Sequence, residues 1–285
     1  DGISRTLDLY YRTSQPLSTQ EGDYKLVTPG VAVRFGVPFT ESDTVFFGVG
    51  VEQTKIETGN GLPLAYQDFI NAYGDKAISV PLSVGWSRDT RDSALVPTEG
   101  RLQRASGELG IAGDTRYMKA NYQFQQYIPL SKKYTLAFNA EVGWGDGLGG
   151  KPFPVFKNFY GGGLGSVRGF EQGTLGGTSA LTGTAYAGLT SNIGGDRKLL
   201  LNTEVGAPFP GAGNDRTLRM FAFFDIGNVY ATGAEFNLSD LRASTGLGVS
   251  WISPIGPLKI AFARPVRKQV GDKTQSIQFQ IGTSF

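Results

Sequence analysis

The chain has 285 residues, with 27 Lys and Arg against 25 Asp and Glu, 41 Gly, 19 Phe and 12 Tyr, and it contains neither His nor Cys. Without imidazoles or thiols, the composition excludes thiol nucleophiles, histidine bases and most transition-metal sites. The net charge of +2 provides no basic surface for nucleic acid, so no nucleic-acid partner is predicted. This length suits either two ordinary domains or one all-β barrel.

Transmembrane helices are not predicted, because no window of about 18 consecutive residues is apolar. The chain also opens without the charged and apolar segments of a signal peptide. A mean hydropathy near zero does not argue against a membrane β-barrel. In such a barrel, lipid-facing and lumen-facing residues alternate along each strand, and their average cancels.

Twelve segments show the two-residue alternation of β-strands. In chain order they are 2–13, 24–37, 43–56, 76–88, 100–113, 115–128, 132–146, 195–208, 217–231, 241–253, 256–266 and 274–285. The connections PFTESD, PLSKK, PFPGAGND and SPIGP are short, whereas 57–75, 147–194 and 232–240 are longer. An even strand number, with short turns at one rim and long loops at the other, predicts an antiparallel up-and-down transmembrane β-barrel. The parity places the carboxyl terminus at the rim of the short turns.

The segment 132–146 shows the alternation clearly. One face carries Tyr134, Leu136, Phe138, Ala140, Val142 and Trp144, and the other carries Thr135, Ala137, Asn139, Glu141, Gly143 and Gly145. We predict that the first face meets lipid and the second meets the lumen. A soluble β-sandwich also alternates. It rarely needs twelve consecutive segments with aromatic residues at the strand ends, so the barrel is favoured.

Two glycine patterns are similar to nucleotide-binding loops. Gly145, Gly147 and Gly150 fit G-x-G-x-x-G, and 145–151 fits G-x-x-x-x-G-K. Both motifs need a helix whose first amides meet the phosphates, yet Lys151 is followed by Pro-Phe-Pro. We predict no nucleotide and no other cofactor. These glycines are interpreted as positions where the strand end bends and the loop turns inward.

The stretch 142–170, VGWGDGLGGKPFPVFKNFYGGGLGSVRGF, resembles the BamA family of bacterial outer-membrane assembly factors. The resemblance continues through FFDIGNVY at 223–230 and WISPIGPLKIAFARP at 251–265, and it covers essentially the whole chain. It implies a family barrel of sixteen strands preceded by periplasmic POTRA repeats. Residues 1–285 would then be strands five to sixteen, without the repeats and the first four strands. We expect these strands to close or nearly close into a barrel, or other chain segments to supply the missing strands, because unpaired edges in lipid are costly.

The resemblance also implies a site in the longest loop, whose tip would fold back into the lumen. The residues of that tip are Val167, Arg168, Gly169 and Phe170. Arg168 would reach two carboxylates on the lumen wall, Glu204 and Asp225, and the strand alternation independently puts Glu204 on the lumen side. Three preceding glycines are interpreted as close-approach positions: Gly161, Gly162 and Gly163. An alternative interpretation is that this cluster only fastens the loop and performs no bond chemistry.

The final strand resembles the β-signal by which outer-membrane barrels are recognised. The residues that carry this resemblance are Phe279, Ile281, Gly282 and Phe285. An ordinary last strand with an interfacial Phe is equally compatible with them, and both interpretations can hold together.

The function implied by the resemblance is non-enzymatic. A family member folds β-barrel proteins and inserts them into the outer membrane through a lateral seam, without ATP. Its expected partners are outer-membrane lipid, nascent β-barrel substrates and accessory lipoproteins of the assembly complex. The alternatives are a two-partner-secretion or TamA-like translocation pore, and a passive porin, which a plugging loop disfavours.

Overall fold

The computed structural model describes residues 2–15, 22–211, 217–254 and 256–282. Its main feature is one antiparallel sheet of twelve strands. These are β1 (Ser4–Ser14), β2 (Tyr24–Pro38), β3 (Asp43–Thr58), β4 (Lys76–Asp89), β5 (Gly100–Gly113), β6 (Tyr117–Pro129), β7 (Thr135–Gly147), β10 (Arg197–Pro208), β11 (Leu218–Tyr230), β12 (Arg242–Ser253), β13 (Gly256–Arg267) and β14 (Ile277–Ile281). The prediction of an all-β, up-and-down antiparallel fold with these twelve strands is confirmed.

The strands pair in chain order except at one place, where β7 pairs with β10. The long loop inserted between these two strands contains a hairpin of its own, β8 (Gly177–Ala180) and β9 (Thr190–Gly194). One α-helix, α1 (Leu64–Tyr73), lies in the connection between β3 and β4. Neither the hairpin nor the helix was predicted from the sequence. Within the described ranges, no helix is long and apolar enough to cross a membrane.

The alternation predicted for β7 is confirmed. Phe138 and Val142 are 40% and 49% exposed on the outer face of the sheet. On the inner face, the side chain of Asn139 donates to Asn202 of β10 and accepts from Gln123 of β6, at 2.8 and 3.1 Å. The outer face carries large apolar side chains and the inner face carries polar ones. This is the pattern of a sheet that meets lipid on its outer surface.

The twelve strands do not close fully into a barrel, so of the expected arrangements complete closure is not found. Among the described residues, β1 pairs only with β2, and β14 pairs only with β13. The sheet nevertheless curls so far that Arg12 of β1 and Gln278 of β14 line one cavity of about 850 Å³.

The final strand is shorter than predicted. Within the described residues it spans Ile277–Ile281 and pairs with five residues of β13, whereas the prediction began at residue 274. Before it, the carbonyl of Ser276 still accepts from Ala263 of β13, and Thr274 pairs with the long loop through a bridge to Phe170. Phe285, which was predicted to end the strand, lies outside the described residues.

Candidate functional site

The long loop lies against the inner face of the sheet because β7 presents glycine there. The rings of Phe159 and Phe153 cover Gly143 and Gly145, and a Cβ at Gly143 would come within 2.8 Å of the Phe159 ring. The backbone of Phe159 also pairs in both directions with Gly195, at 2.7 and 3.0 Å. Because these glycines have no side chains, two aromatic rings of the loop can pack directly on the strand backbone. The loop therefore lies along the lumen wall from its first residues.

Arg168 lies at the end of this path and contacts both predicted carboxylates. Its Nε and Nη2 donate to the two carboxylate oxygens of Asp225, each at 2.7 Å, and its Nη1 donates to Glu204 at 2.8 Å. The backbone N–H of Arg168 also donates to Asp225 at 3.0 Å. Arg168 is 3% exposed and Asp225 is fully buried. The planar guanidinium is therefore fixed in direction, as paired N–H donors on one carboxylate require.

The surroundings of Arg168 balance its charge and cover its faces. Its guanidinium carbon lies 3.6 Å from the centre of the Phe223 ring, a cation–π contact. A second cation, Lys259 of β13, reaches Glu204 at 3.2 Å. Two cations thus face two carboxylates. Burial by itself lowers the pKa of the Arg168 guanidinium, but the hydrogen bonds and charges of Asp225 and Glu204 outweigh burial and raise that pKa above its usual value.

The three residues around Arg168 hold the tip in place by packing. Val167 and Phe170 are fully buried and form a cluster with Leu175 of the loop and Leu200 of β10. Gly169 has φ +88°, and a Cβ there would lie 3.2 Å from the Cβ of Ala263 on β13. A residue with a side chain would therefore meet both an unfavourable backbone conformation and a close neighbour at this position.

The three successive glycines lie where the loop backbone folds onto itself. Gly162 and Gly163 have φ of +94° and +92°, and a Cβ at Gly162 would collide with the carbonyl oxygen of Glu171. A Cβ at Gly161 would come within 2.9 Å of the Val229 side chain. The structure thus places all three in close contact with other parts of the chain.

The sequence did not predict that Gln278 of β14 belongs to the same cluster. Its side-chain amide donates to the carbonyl of Phe170 at 2.7 Å, and its oxygen accepts from the N–H of Gly169 at 3.2 Å. Two backbone hydrogen bonds extend this contact: Gln275 donates to Gly169, and Glu171 donates to the carbonyl of Lys273. The only available signal was the position of Gln278 on the inner face of an alternating strand.

The apolar residues that alternate with Gln278 in the final strand face away from this cluster. Phe279 and Ile281 are 73% and 65% exposed on the outer face, and Gly282 follows the strand with φ +90°. These positions suit contact with lipid or with another strand, and their role as a recognition signal stays a prediction. In the part of the chain that the structure describes, no three His, Cys, Asp or Glu residues group as metal ligands do.

The Omp85 superfamily domain matches residues 1–285. The outer membrane protein assembly factor BamA of Neisseria meningitidis serogroup B is 38% identical over the whole chain, which spans 40% of that relative. The human sorting and assembly machinery component 50 homolog is 30% identical over 69% of the chain, which spans 44% of it. The chain therefore corresponds to less than half the length of these relatives.

Two solved structures share the fold. BamA from Haemophilus ducreyi lacking POTRA domains 1–3 superposes with a TM-score of 0.88 at 25% identity, over 98% of this chain and 58% of that one. CdiB from Acinetobacter baumannii superposes with a TM-score of 0.56 at 14% identity, over 97% of this chain and 46% of that one. The second similarity shows a common fold alone.

Proposed function

The chain belongs to the Omp85 superfamily of outer-membrane proteins, and on that basis we propose that it is the barrel portion of a factor that folds and inserts β-barrel proteins into the outer membrane. The observation that carries this proposal is the 38% identity to an outer membrane protein assembly factor along the entire chain. The fixed arrangement of Arg168 with Asp225 and Glu204 supports it, because it gives the loop one defined position inside the lumen.

The site favours a structural role rather than bond chemistry. Every nitrogen of the Arg168 guanidinium donates to a carboxylate oxygen of this chain, and these bonds direct the group away from any external ligand. Its contribution to assembly is to hold the loop and the strands that it touches in one shape.

The seam is proposed to lie at β14. Within the described residues this strand pairs with β13 on one side, and its other edge is unpaired. An open edge offers backbone N–H and C=O groups to an incoming strand by β-augmentation. The substrate strands would then leave laterally into lipid.

Insertion by this route would need no ATP. A completed barrel pairs all of its backbone groups and exposes its apolar face to hydrocarbon, so the folded product is lower in free energy than the unfolded chain in the bilayer. The factor lowers the barrier to that state. The proposed partners are nascent β-barrel proteins, the lipid around the outer face and accessory lipoproteins of an assembly complex.

The test uses the full-length protein in liposomes with a urea-unfolded outer-membrane β-barrel as client. We expect insertion, followed by heat-dependent migration on gels, to be at least about tenfold faster than in empty liposomes, which corresponds to about 1.4 kcal/mol of the barrier. Arg168→Ala should lose most of this acceleration, and Lys133→Met, in an exposed turn, should keep it. If the client instead crosses into the vesicle interior, the secretion-pore alternative is correct; if no acceleration occurs, the proposal fails.

A further inference from the structure

A second cation of the loop, partly buried, lies on another part of the lumen wall. Lys157 ends a short turn of 3₁₀ helix, Val155–Lys157, and its Nζ lies 2.6 Å from Glu52 of β3 and 2.8 Å from Glu108 of β5. The side chains of Lys157 and Glu52 are 16% and 7% exposed. One ammonium group therefore joins the loop to two strands, although neither carboxylate is near it in sequence.

Further donors complete this cluster. The Tyr10 hydroxyl donates to Glu52 at 2.9 Å, and the Tyr117 hydroxyl donates to Glu108 at 2.5 Å. The carbonyl of Lys157 itself accepts from the Nζ of Lys119 at 2.7 Å. Burial by itself lowers the pKa of the Lys157 ammonium, but the nearby carboxylates of Glu108 and Glu52 outweigh burial and raise it above its usual value.

The residues next to Lys157 make contacts that are separate from those of the loop tip. Val155 packs into the apolar cluster beneath α1, and the Phe156 ring meets Phe69 of that helix edge-on at 5.2 Å. The Asn158 amide donates to the carbonyl of Ile193 at 2.7 Å. The cluster around Arg168 consists of other residues: Leu175, Leu200 and the side chains of β10, β11 and β13.

We infer that Lys157, held by Glu52 and Glu108, is a second anchor of the loop, which fixes its first arm to β3 and β5 independently of the Arg168 anchor on β10 and β11. Two anchors on different parts of the curved sheet restrain both the position and the orientation of the segment between them. A single anchor would fix only one end of that segment. Lys157 is thus a positioning residue for the loop tip.

The experiment measures the opening of each anchor with a separate thiol. The chain contains no Cys, so Val155→Cys and Ser166→Cys each introduce a single reporter, at positions that are 9% and 8% exposed. The rate of labelling by a water-soluble maleimide is measured for the full-length protein in liposomes. Because a buried thiol reacts only when its surroundings open, this rate reports local stability.

We expect Lys157→Met to speed labelling about tenfold or more in the Val155→Cys protein and less than about twofold in the Ser166→Cys protein. Arg168→Met should instead speed labelling about tenfold or more in the Ser166→Cys protein and less than about twofold in the Val155→Cys protein. Lys157→Arg keeps the charge and should leave both rates close to those of the parent. If both thiols respond equally to each change, the loop is one unit and the inference is overturned; an unchanged rate in the Val155→Cys protein also overturns it.

A second variant controls for the possibility that Lys157→Met misfolds. Lys157→Met leaves two carboxylates without their cation, so the triple change Lys157→Met, Glu52→Gln and Glu108→Gln removes the anchor without leaving either carboxylate charged. It should speed labelling of the Val155→Cys protein as Lys157→Met does, with folding checked by heat-dependent migration. A parental rate in the triple variant would show that the three residues do not hold the loop.

The consequence for assembly rests on the proposed function and is measured separately. Client insertion by the triple variant should slow by about fivefold while its own barrel stays folded, a change of about 1 kcal/mol in the barrier. Faster labelling with unchanged insertion would overturn the positioning role. Labelling itself does not depend on any client, so failure of the proposed function leaves the test of the anchor intact.

Discussion

Arg168 and Asp225 are joined by three hydrogen bonds: two parallel bonds of 2.7 Å from the guanidinium and one of 3.0 Å from the backbone N–H. The carboxylate thus fixes both the side chain and the main chain of the loop tip. Asp225 has no exposed surface, so water cannot replace a lost partner. Replacing either residue alone should therefore lower the free energy of unfolding strongly, because the other residue is left without its partner.

Single substitution of this pair should therefore destabilise the fold strongly. We expect Arg168→Met to lower the free energy of unfolding by about 3 to 5 kcal/mol, because Asp225 is left charged, buried and unpaired. Arg168→Met with Asp225→Leu should cost clearly less than the sum of the two single changes. Urea unfolding in lipid vesicles measures both, and additive costs would contradict a coupled pair.

The two faces of β7 should differ in their tolerance of charge. Phe138→Arg places a cation on the apolar outer face and should cost about 2 to 4 kcal/mol if the residue lies near the bilayer midplane. The matched change Asn139→Arg points into a lumen of polar side chains and should cost much less. Equal costs in a membrane unfolding titration would refute the assignment of the faces.

Gln278 should stabilise the contact between β14 and the loop tip. Gln278→Leu removes the donor to the Phe170 carbonyl and the acceptor for the Gly169 N–H. Leaving these buried groups unpaired should cost about 1 to 3 kcal/mol. Hydrogen exchange should accelerate at Glu171 and Gln275, whose amides bridge the two segments. Gln280→Leu, one inward position further along the strand, is the matched control, and equal acceleration in both variants would argue against a specific role for Gln278.

Gly162 should tolerate no side chain. Gly162→Ala combines a φ of +94° with a collision against the Glu171 carbonyl, and we expect it to cost at least about 1 kcal/mol and to loosen the loop. Gly165 provides the control, because its φ is not positive and a Cβ there meets no atom within 4 Å. Limited proteolysis of the loop should therefore increase for Gly162→Ala and not for Gly165→Ala.

The sequence predicts the strands and their faces well, because alternation such as that from Tyr134 to Trp144 depends only on local periodicity. It does not predict α1, whose Tyr66 and Phe69 are buried against residues from β2, β3 and the long loop. The partners of Arg168 were found through the family resemblance together with the inward position of Glu204. Lys157 and Gln278 were missed, because nothing local distinguishes them from other polar residues. Whether the sheet closes depends on curvature, which twist and loop packing set together.

The two anchors of the loop also constrain the order in which the chain can fold. Lys157 needs β3 and β5, which precede it in sequence, whereas Arg168 needs β10 and β11, which follow it. The loop can therefore dock fully only after strands on both sides have formed. Contacts between such distant parts of a chain form slowly. The intervening chain must first close into a loop, which costs conformational entropy before the contact can stabilise it. We expect loop docking to be the last step of folding, so that a chain stalled before β11 would leave its longest loop accessible to proteases.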